Sequence, residues 1–340
     1  MDINKIEKIL LDNGEQKFRI KQISKAVYQD GISSFSEITT LSKDLRQSLD
    51  REMKILSFDI VNILTAKDNQ SAKALLRTND GNLIETVLIS PKPDTRSVCI
   101  SCQVGCQMGC RFCATGSMGF KRNLTVEEIT DQVLFWRQFL KKNENCDVNN
   151  IVYMGMGEPF NNWEKVSESI RILTDKNLFG FGSRSIAVST SGIAEGIMKL
   201  AEEFPQVNLA LSLHFADDAK RNEFMPVNKK DNLENLRNAL KKYFAITTRK
   251  VFLEYIMLDG INDTALDAKM LSDFVYSIGN THLLHVNLIR YNTTGEDLKP
   301  SSKTRAQIFK QELEKHRVNA TVRKSLGEEI QGACGQLAGQ

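Results

Sequence analysis

Apolar and polar positions follow a helical period through the first 55 residues of the chain and a mixed one after it. "KIEKILLD", "RIKQISKAVYQ" and "SKDLRQSLDREMKIL" each repeat apolar residues every three or four positions, the spacing of amphipathic helices. "DIVNILTAKD", "SAKALLRTND" and "NLIETVLIS" follow, shorter and joined by polar turns, with "NDGN" at 79–82 a hairpin signal. "PKPDT" at 91–95 is a proline-marked break. These patterns predict a small, mostly helical accessory domain over residues 1–84 and a larger domain over 85–340.

Beyond the break, strand-like and helical runs alternate. "SVCIS" (97–101) leads through a cysteine-rich loop to "TVEEITDQVLFWRQFLKK", and "NIVYM" (150–154) precedes "NWEKVSESIRILTD". "SIAVST" (185–190), "VNLALSL" (207–213), "KVFLEYIML" (250–258) and "LLHVNLI" (283–289) are each followed by a helical stretch, and "NATVRKS" (319–325) comes last. Six strand–helix units in a row predict an α/β fold, a parallel sheet with helices outside it. Periodicity alone does not choose between a doubly wound sheet and a partial barrel. Chemistry-bearing residues stand at the C-terminal ends of five strands: the cysteines, "GMGEP", "STSG", "SLH" and "RYN". Ligands bind at that edge in parallel α/β folds, and five patches converging there favour a curved sheet around one site.

Composition changes this picture little. The 340 residues are 41% hydrophobic with a formal net charge of +3, which fits a globular protein and does not demand a nucleic-acid partner. No apolar run is long enough to span a bilayer, and the N-terminus lacks the layout of a secretory signal, so a cytoplasmic protein is expected. Arg111, Lys121 and Arg122 flank the cysteine loop, and Lys303, Arg305, Lys310, Lys315, Arg317, Arg323 and Lys324 crowd the C-terminal part. Such clusters suit either phosphate contacts or solvated helix faces.

The most specific signal is "CQMGCRFCATG" (106–116). Cys106, Cys110 and Cys113 stand at C-x3-C-x2-C spacing. Seven cysteines are too few for a disulfide scaffold in a chain this long, so clustered thiols point to a metal or to catalysis. Three thiolates can ligate three irons of a [4Fe–4S] cluster and leave the fourth open to a small molecule. A zinc site completed by Cys99 or Cys102 is the alternative.

The triplet after the first strand of a βα repeat resembles the radical S-adenosylmethionine (SAM) superfamily, whose open iron chelates the methionine part of SAM. With "GFKRNLTVEEITDQV", "MGMGEP", "STSG", "LSLH", "EYIMLDGIND" and "ACGQLAG" in order, nearly the whole chain resembles the RlmN/Cfr family of adenosine methyltransferases. The resemblance implies a partial (βα)6 radical SAM barrel, a [4Fe–4S] cluster on Cys106, Cys110 and Cys113, and two SAM per turnover. One SAM methylates a cysteine, matched by Cys334; a second is cleaved to a radical that activates the S-methyl group for addition to the adenine ring. Cys99 matches the thiol that resolves the protein–RNA bond by forming a disulfide, and Glu85 the proton acceptor. For SAM itself the resemblance carries over Gly157, Glu158, Ser189, Ser212, Leu213, His214 and Asn292.

Bland readings stand beside these. Cys99 on a strand could be an inert buried thiol, His214 a satisfied core histidine, and Glu85 a surface residue. Cys102 and Cys146 match no family role and read as packing residues. The expected partners are 23S rRNA, tRNA in some members, and a flavodoxin-like or ferredoxin-like electron donor; a monomer without membrane contact is expected. Pro159, Glu254 and Asp259 resemble the RlmN branch, which modifies adenine C2. "HVNLIRYN" and "RIKQISKAV" stand closer to the Cfr branch, which modifies C8 and confers antibiotic resistance. Pro159 and the "LDGIND" loop tip the expectation to C2. A zinc-stabilised RNA-binding module and a radical SAM enzyme of other chemistry are the competing classes.

Overall fold

A computed structural model describes residues 3–295 and 298–339. The N-terminal helices are α1 (Ile3–Asp12), α2 (Arg19–Ser24), which runs on into a π-helical turn (Lys25–Gln29), and α3 (Lys43–Glu52). Each buries a stripe: Ile6, Ile9 and Leu10 on α1, Leu45 and Leu49 on α3. Ser42 caps α3 by accepting from the Leu45 amide. Three antiparallel strands follow, β1 (Phe58–Thr65), β2 (Ser71–Thr78) and β3 (Leu83–Ile89), with the expected hairpin between β2 and β3.

The second half is the predicted repeat. β4 (Ser97–Cys99) is followed by a small ribbon of β5 (Gln103–Gly105) and β6 (Phe120–Asn123), with α4 (Ala114–Ser117) inside its loop. Then come α5 (Val126–Glu144), β7 (Asn150–Tyr153), α6 (Trp163–Thr174), β8 (Ile186–Thr190), α7 (Ala194–Glu203) and β9 (Asn208–Ser212). The short α8 (Asp218–Phe224) precedes α9 (Leu233–Ile246), β10 (Val251–Met257), α10 (Ala265–Ile278), β11 (Leu284–Arg290), α11 (Lys303–Lys315) and β12 (Ala320–Val322).

One sheet runs β1-β2-β3-β4-β7-β8-β9-β10-β11-β12, parallel from β4 onward. The order never reverses, which decides against a doubly wound sheet: successive right-handed crossovers place every helix on one side, and the result is a partial barrel. The residue-84 division falls at the start of β3, inside continuous backbone pairing, because β2 and β3 are in register from Ser71 opposite Ile89 to Arg77 opposite Leu83. The helical part ends earlier, at Glu52, and shares one apolar core with the barrel. The joint is α5, which is buried on nearly every side. Trp136 donates to Thr86 Oγ1 of β3 at 3.1 Å, while Arg137 donates to the Tyr28 carbonyl and Lys141 to that of Gln29 at 2.6 Å.

Register fixes which side chains share a face, because directly paired strand residues point the same way and alternate along each strand. Tyr255 packs on Phe309 of α11 with ring centroids 5.3 Å apart, so Glu254 points to the helix-free side. Glu254 pairs with Ser212 and with Asn287; Ser189 pairs with Ala210, two residues before Ser212; Ala187 pairs with Val152, which pairs with Cys99. Cys99 pairs with Val87 and Val87 with Lys73, so Glu85 shares that face. Lys73, Glu85, Cys99, Ser189, Ser212, Glu254 and Asn287 therefore line one concave surface.

Candidate active site

The β5–β6 ribbon pins both ends of the cysteine loop. The Cys106 amide donates to the Gly119 carbonyl at 2.9 Å. Gly105 has φ +75°, and a Cβ there would lie 1.8 Å from the Gly119 oxygen, so no other residue fits. The far side of the loop packs on a small second apolar cluster of Phe112, Phe215, Phe224, Met225, Ile256, Leu258 and Tyr291, with Cys110 and Cys113 against it. The Arg111 amide donates to the Phe224 carbonyl at 3.0 Å, which ties the loop to the end of α8.

Burial pushes the Cys106 thiol up to about 12, with the nearby Cys113 adding to it, and burial together with Cys113 and Cys106 pushes Cys110 up as well. Three soft sulfur donors held this close, and repelling one another as anions, suit a positively charged group placed among them. Among the described residues no three His, Cys, Asp or Glu side chains converge on a point suited to a single ion. Of the alternative fourth ligands for a zinc ion, Cys102 is buried in the main core beside the loop and Cys99 is on β4.

The C-terminal segment folds back across the barrel mouth. The Ala114 amide donates to the Gly335 carbonyl at 2.8 Å, Thr115 Oγ1 to the Leu337 carbonyl at 2.6 Å, and Asn292 Nδ2 to the Cys334 carbonyl at 3.0 Å. Leu337 inserts into the main core. Cys334 keeps its surface open to solvent, yet it is close enough to feel the charges of Arg323, Glu254 and Cys113; burial by the surrounding walls raises it. Burial raises Cys99 strongly, and Cys334 adds to that shift. All seven cysteines are free. The structure thus places Cys334 within electrostatic reach of Cys99 and of Cys113 in the loop.

Glu85 is fully buried. Its Oε1 pairs with Lys73 at 2.6 Å and its Oε2 accepts from the Ala338 and Gly339 amides at 2.7 and 3.1 Å. The surface reading of Glu85 is therefore overturned. Lys73, its partner, carried no signal of its own in the sequence.

The remaining candidates lie at the C-terminal ends of β7, β8, β9 and β11. Glu158 is buried, and burial raises its carboxyl; Oε2 accepts from the Ser191 amide and hydroxyl at 2.7 and 2.8 Å. Gly157 has φ +98°, and a Cβ there would lie 2.5 Å from that of Gln103, so its close approach in this structure is to β5. Ser189 and Ser212 hydroxyls lie 3.4 Å apart. Asn292 is spent on the tail, as above. His214 adopts φ +56°, its Nδ1 accepts from the Ile256 amide at 3.1 Å, and burial with Arg221 nearby lowers it to about 3. The ring is thus buried and held in place by the β10 backbone. Leu213 is buried and its carbonyl accepts from Arg221.

Arg221 is a residue the sequence did not single out, because a lone arginine in a short helix has no signature. Fully buried on α8, it donates to the carbonyls of Ser191 at 2.5 Å, Ser212 at 3.2 Å and Leu213. It joins the "STSG" and "SLH" segments and faces Cys110. Several basic residues near the loop are not free for phosphate. Arg111 pairs with Glu223 at 2.8 Å, Arg122 with Asp80 and Glu128, and Lys121 donates to Asn82.

A partial barrel whose first strand leads into a three-cysteine loop is the architecture of a radical SAM enzyme, and the radical SAM superfamily profile matches residues 100–270. Residues 1–55 match the ribosomal RNA large subunit methyltransferase N-terminal domain. The chain is 42% identical to the ribosomal RNA large subunit methyltransferase Cfr of Clostridium botulinum (strain Okra), over 94% of this chain and 92% of that one. It is 40% identical to the probable dual-specificity RNA methyltransferase RlmN of Thermotoga sp. (strain RQ2), over 95% and 92%. The crystal structure of a radical SAM methyltransferase from Sphaerobacter thermophilus superposes with a TM-score of 0.92 at 38% identity, covering 100% of this chain and 98% of that one. This protein belongs to the RlmN/Cfr family of radical SAM methyltransferases, which implies a [4Fe–4S] cluster and SAM as cofactors.

Proposed function

We propose that this chain methylates C2 of an adenosine in the peptidyl-transferase region of 23S rRNA, and an adenosine beside the tRNA anticodon, through an S-methylcysteine on Cys334. One observation carries the reading: Cys334, far along the chain from the other thiols, lies within electrostatic reach of both Cys99 and Cys113. Cys106, Cys110 and Cys113 hold the cluster, which when bound supplies the electron for reductive cleavage of SAM. Glu158, Ser189 and Ser212 offer acceptors at the strand edge for a cationic ligand, while Gly157, Leu213, His214 and Asn292 shape that edge. Cys99 attacks the Cys334 sulfur to release product. Glu85 takes the proton lost from the ring; a carboxylate has about four acceptor sites and three are used here.

Residues 1–84 help hold RNA, whose target base must be unstacked at a cost of a few kcal/mol. An external flavodoxin-like or ferredoxin-like donor reduces the cluster, and the protein works as a cytoplasmic monomer. Among the described residues no helix is long and apolar enough to cross a membrane. C2 is favoured by the "LDGIND" loop: Asn262 donates to the His214 carbonyl at 2.8 Å, which sets that loop against the site. A second reading, C8, is favoured by the identity to Cfr relatives.

Anaerobic reconstitution followed by incubation with large-subunit rRNA tests the reading, with methyladenosine compared by mass spectrometry with C2 and C8 standards. Cys334→Ala is expected to give neither methylated protein nor product. Cys99→Ala is expected to trap a nuclease-sensitive protein–RNA adduct. Methylation by Cys334→Ala sinks the mechanism, and a C8 product sinks the regiochemistry alone.

A further inference from the structure

We propose that the buried Lys73–Glu85 pair is a latch that holds the Cys334 tail in the barrel mouth, and that Lys73 is a positioning residue for that cysteine. The proposal rests on the reading that Cys334 is the reacting thiol. Lys73 and Glu85 are 4% and 0% exposed and sit on adjacent antiparallel strands, on the same face of the sheet. The carboxylate divides its oxygens: Oε1 goes to the ammonium at 2.6 Å, Oε2 to the Ala338 and Gly339 amides. The tail crosses β3 closely enough that a Cβ on Gly339 would lie 3.1 Å from the Leu83 carbonyl oxygen.

The other tail bonds, from Ala114, Thr115, Asn292 and Gln336, join neutral groups. Glu85 alone among these contacts brings a charge, and charge-assisted bonds are roughly twice as strong as neutral ones. Beyond the last helical turn (Glu328–Ile330) the tail has no regular structure to hold it, so its position depends on these bonds and on Leu337 in the core. Burying a carboxylate without a partner is costly, and Lys73 supplies the partner at 2.6 Å. Neutralising Glu85, or removing Lys73, weakens the grip on the tail and leaves Cys334 less well placed.

Hydrogen exchange on the full-length, anaerobically reconstituted protein tests the latch. Glu85→Gln keeps the shape and removes the charge. Exchange of the Ala338 and Gly339 amides is expected to rise at least about tenfold, the loss of a charged hydrogen bond, while β10 and β11 keep their protection. Lys73→Met is expected to act in the same direction. The double variant removes both charges, so its urea midpoint recovers relative to Lys73→Met while tail exchange stays fast. A merely structural ion pair would restore both. Tail exchange within about twofold of wild type in Glu85→Gln, or restored tail protection in the double variant, overturns the latch. If Lys73→Met fails to fold, the other two variants carry the decision. Exchange is read without turnover, so failure of the latch and failure of the Cys334 reading are seen separately.

Discussion

Replacing Arg221 by methionine removes a buried side chain that bridges the segments following β8 and β9, and keeps much of its apolar volume. The carbonyls of Ser191, Ser212 and Leu213 lose their guanidinium donor. The Leu213 carbonyl keeps the Phe215 amide at 2.7 Å, so the Ser191 and Ser212 acceptors carry the loss, at ~1–3 kcal/mol each or roughly 2–6 kcal/mol for two. Part of that returns. Burial lowers the guanidinium from 12.5 to about 10, a penalty of roughly 3 kcal/mol on the charged form that the neutral side chain escapes. The balance is a destabilisation of about 1 kcal/mol, at the middle of the range. Equilibrium urea unfolding at neutral pH measures it, and calorimetric titration with SAM reads the loss of affinity expected when the "STSG" and "SLH" segments part. An unfolding free energy equal to or above that of wild type, with SAM affinity unchanged, would show that those carbonyls find other donors and refute the reasoning.

Alanine at Cys106, Cys110 or Cys113 is expected to abolish iron loading, against about four irons per chain in the reconstituted wild type; one tightly held zinc and no iron would contradict this. Deleting residues 1–84 removes β1, β2 and Lys73 and uncovers α5, so aggregated protein is expected on size-exclusion chromatography. A soluble, iron-loading fragment would show that the shared core is dispensable. His214 is neutral when folded because burial lowers it to about 3, while the unfolded chain binds that proton near 6.5. Acid therefore favours the unfolded state, and the stability advantage of wild type over His214→Gln should shrink by roughly 2 kcal/mol between pH 7 and pH 5. Parallel urea midpoints at the two pH values check it; an advantage that grows in acid reverses the sign.

Local pattern was enough for the elements and for the chemistry of one loop. Strand–helix alternation past residue 96 is written in the spacing of apolar residues, since each strand must bury a run and each helix a stripe. The C-x3-C-x2-C triplet is legible because its ligands lie within one loop, where sequence distance and spatial distance agree. Elsewhere the two part company. The parallel pattern of β4–β12 fits either a doubly wound sheet or a barrel, and only strand order, a property of pairing between distant segments, decides it. The pairing across residue 84 is hidden for the same reason: β2 and β3 look like a separate hairpin until their register shows one sheet continuing into β4. Glu85 gains its meaning from Lys73 across the hairpin and from two tail amides at the other end of the chain. Arg221 gains its meaning from three carbonyls that turn toward it only in the folded state. A side chain's type is fixed by sequence, but its burial and partners, which set its energy and its chemistry, are made by tertiary contact alone.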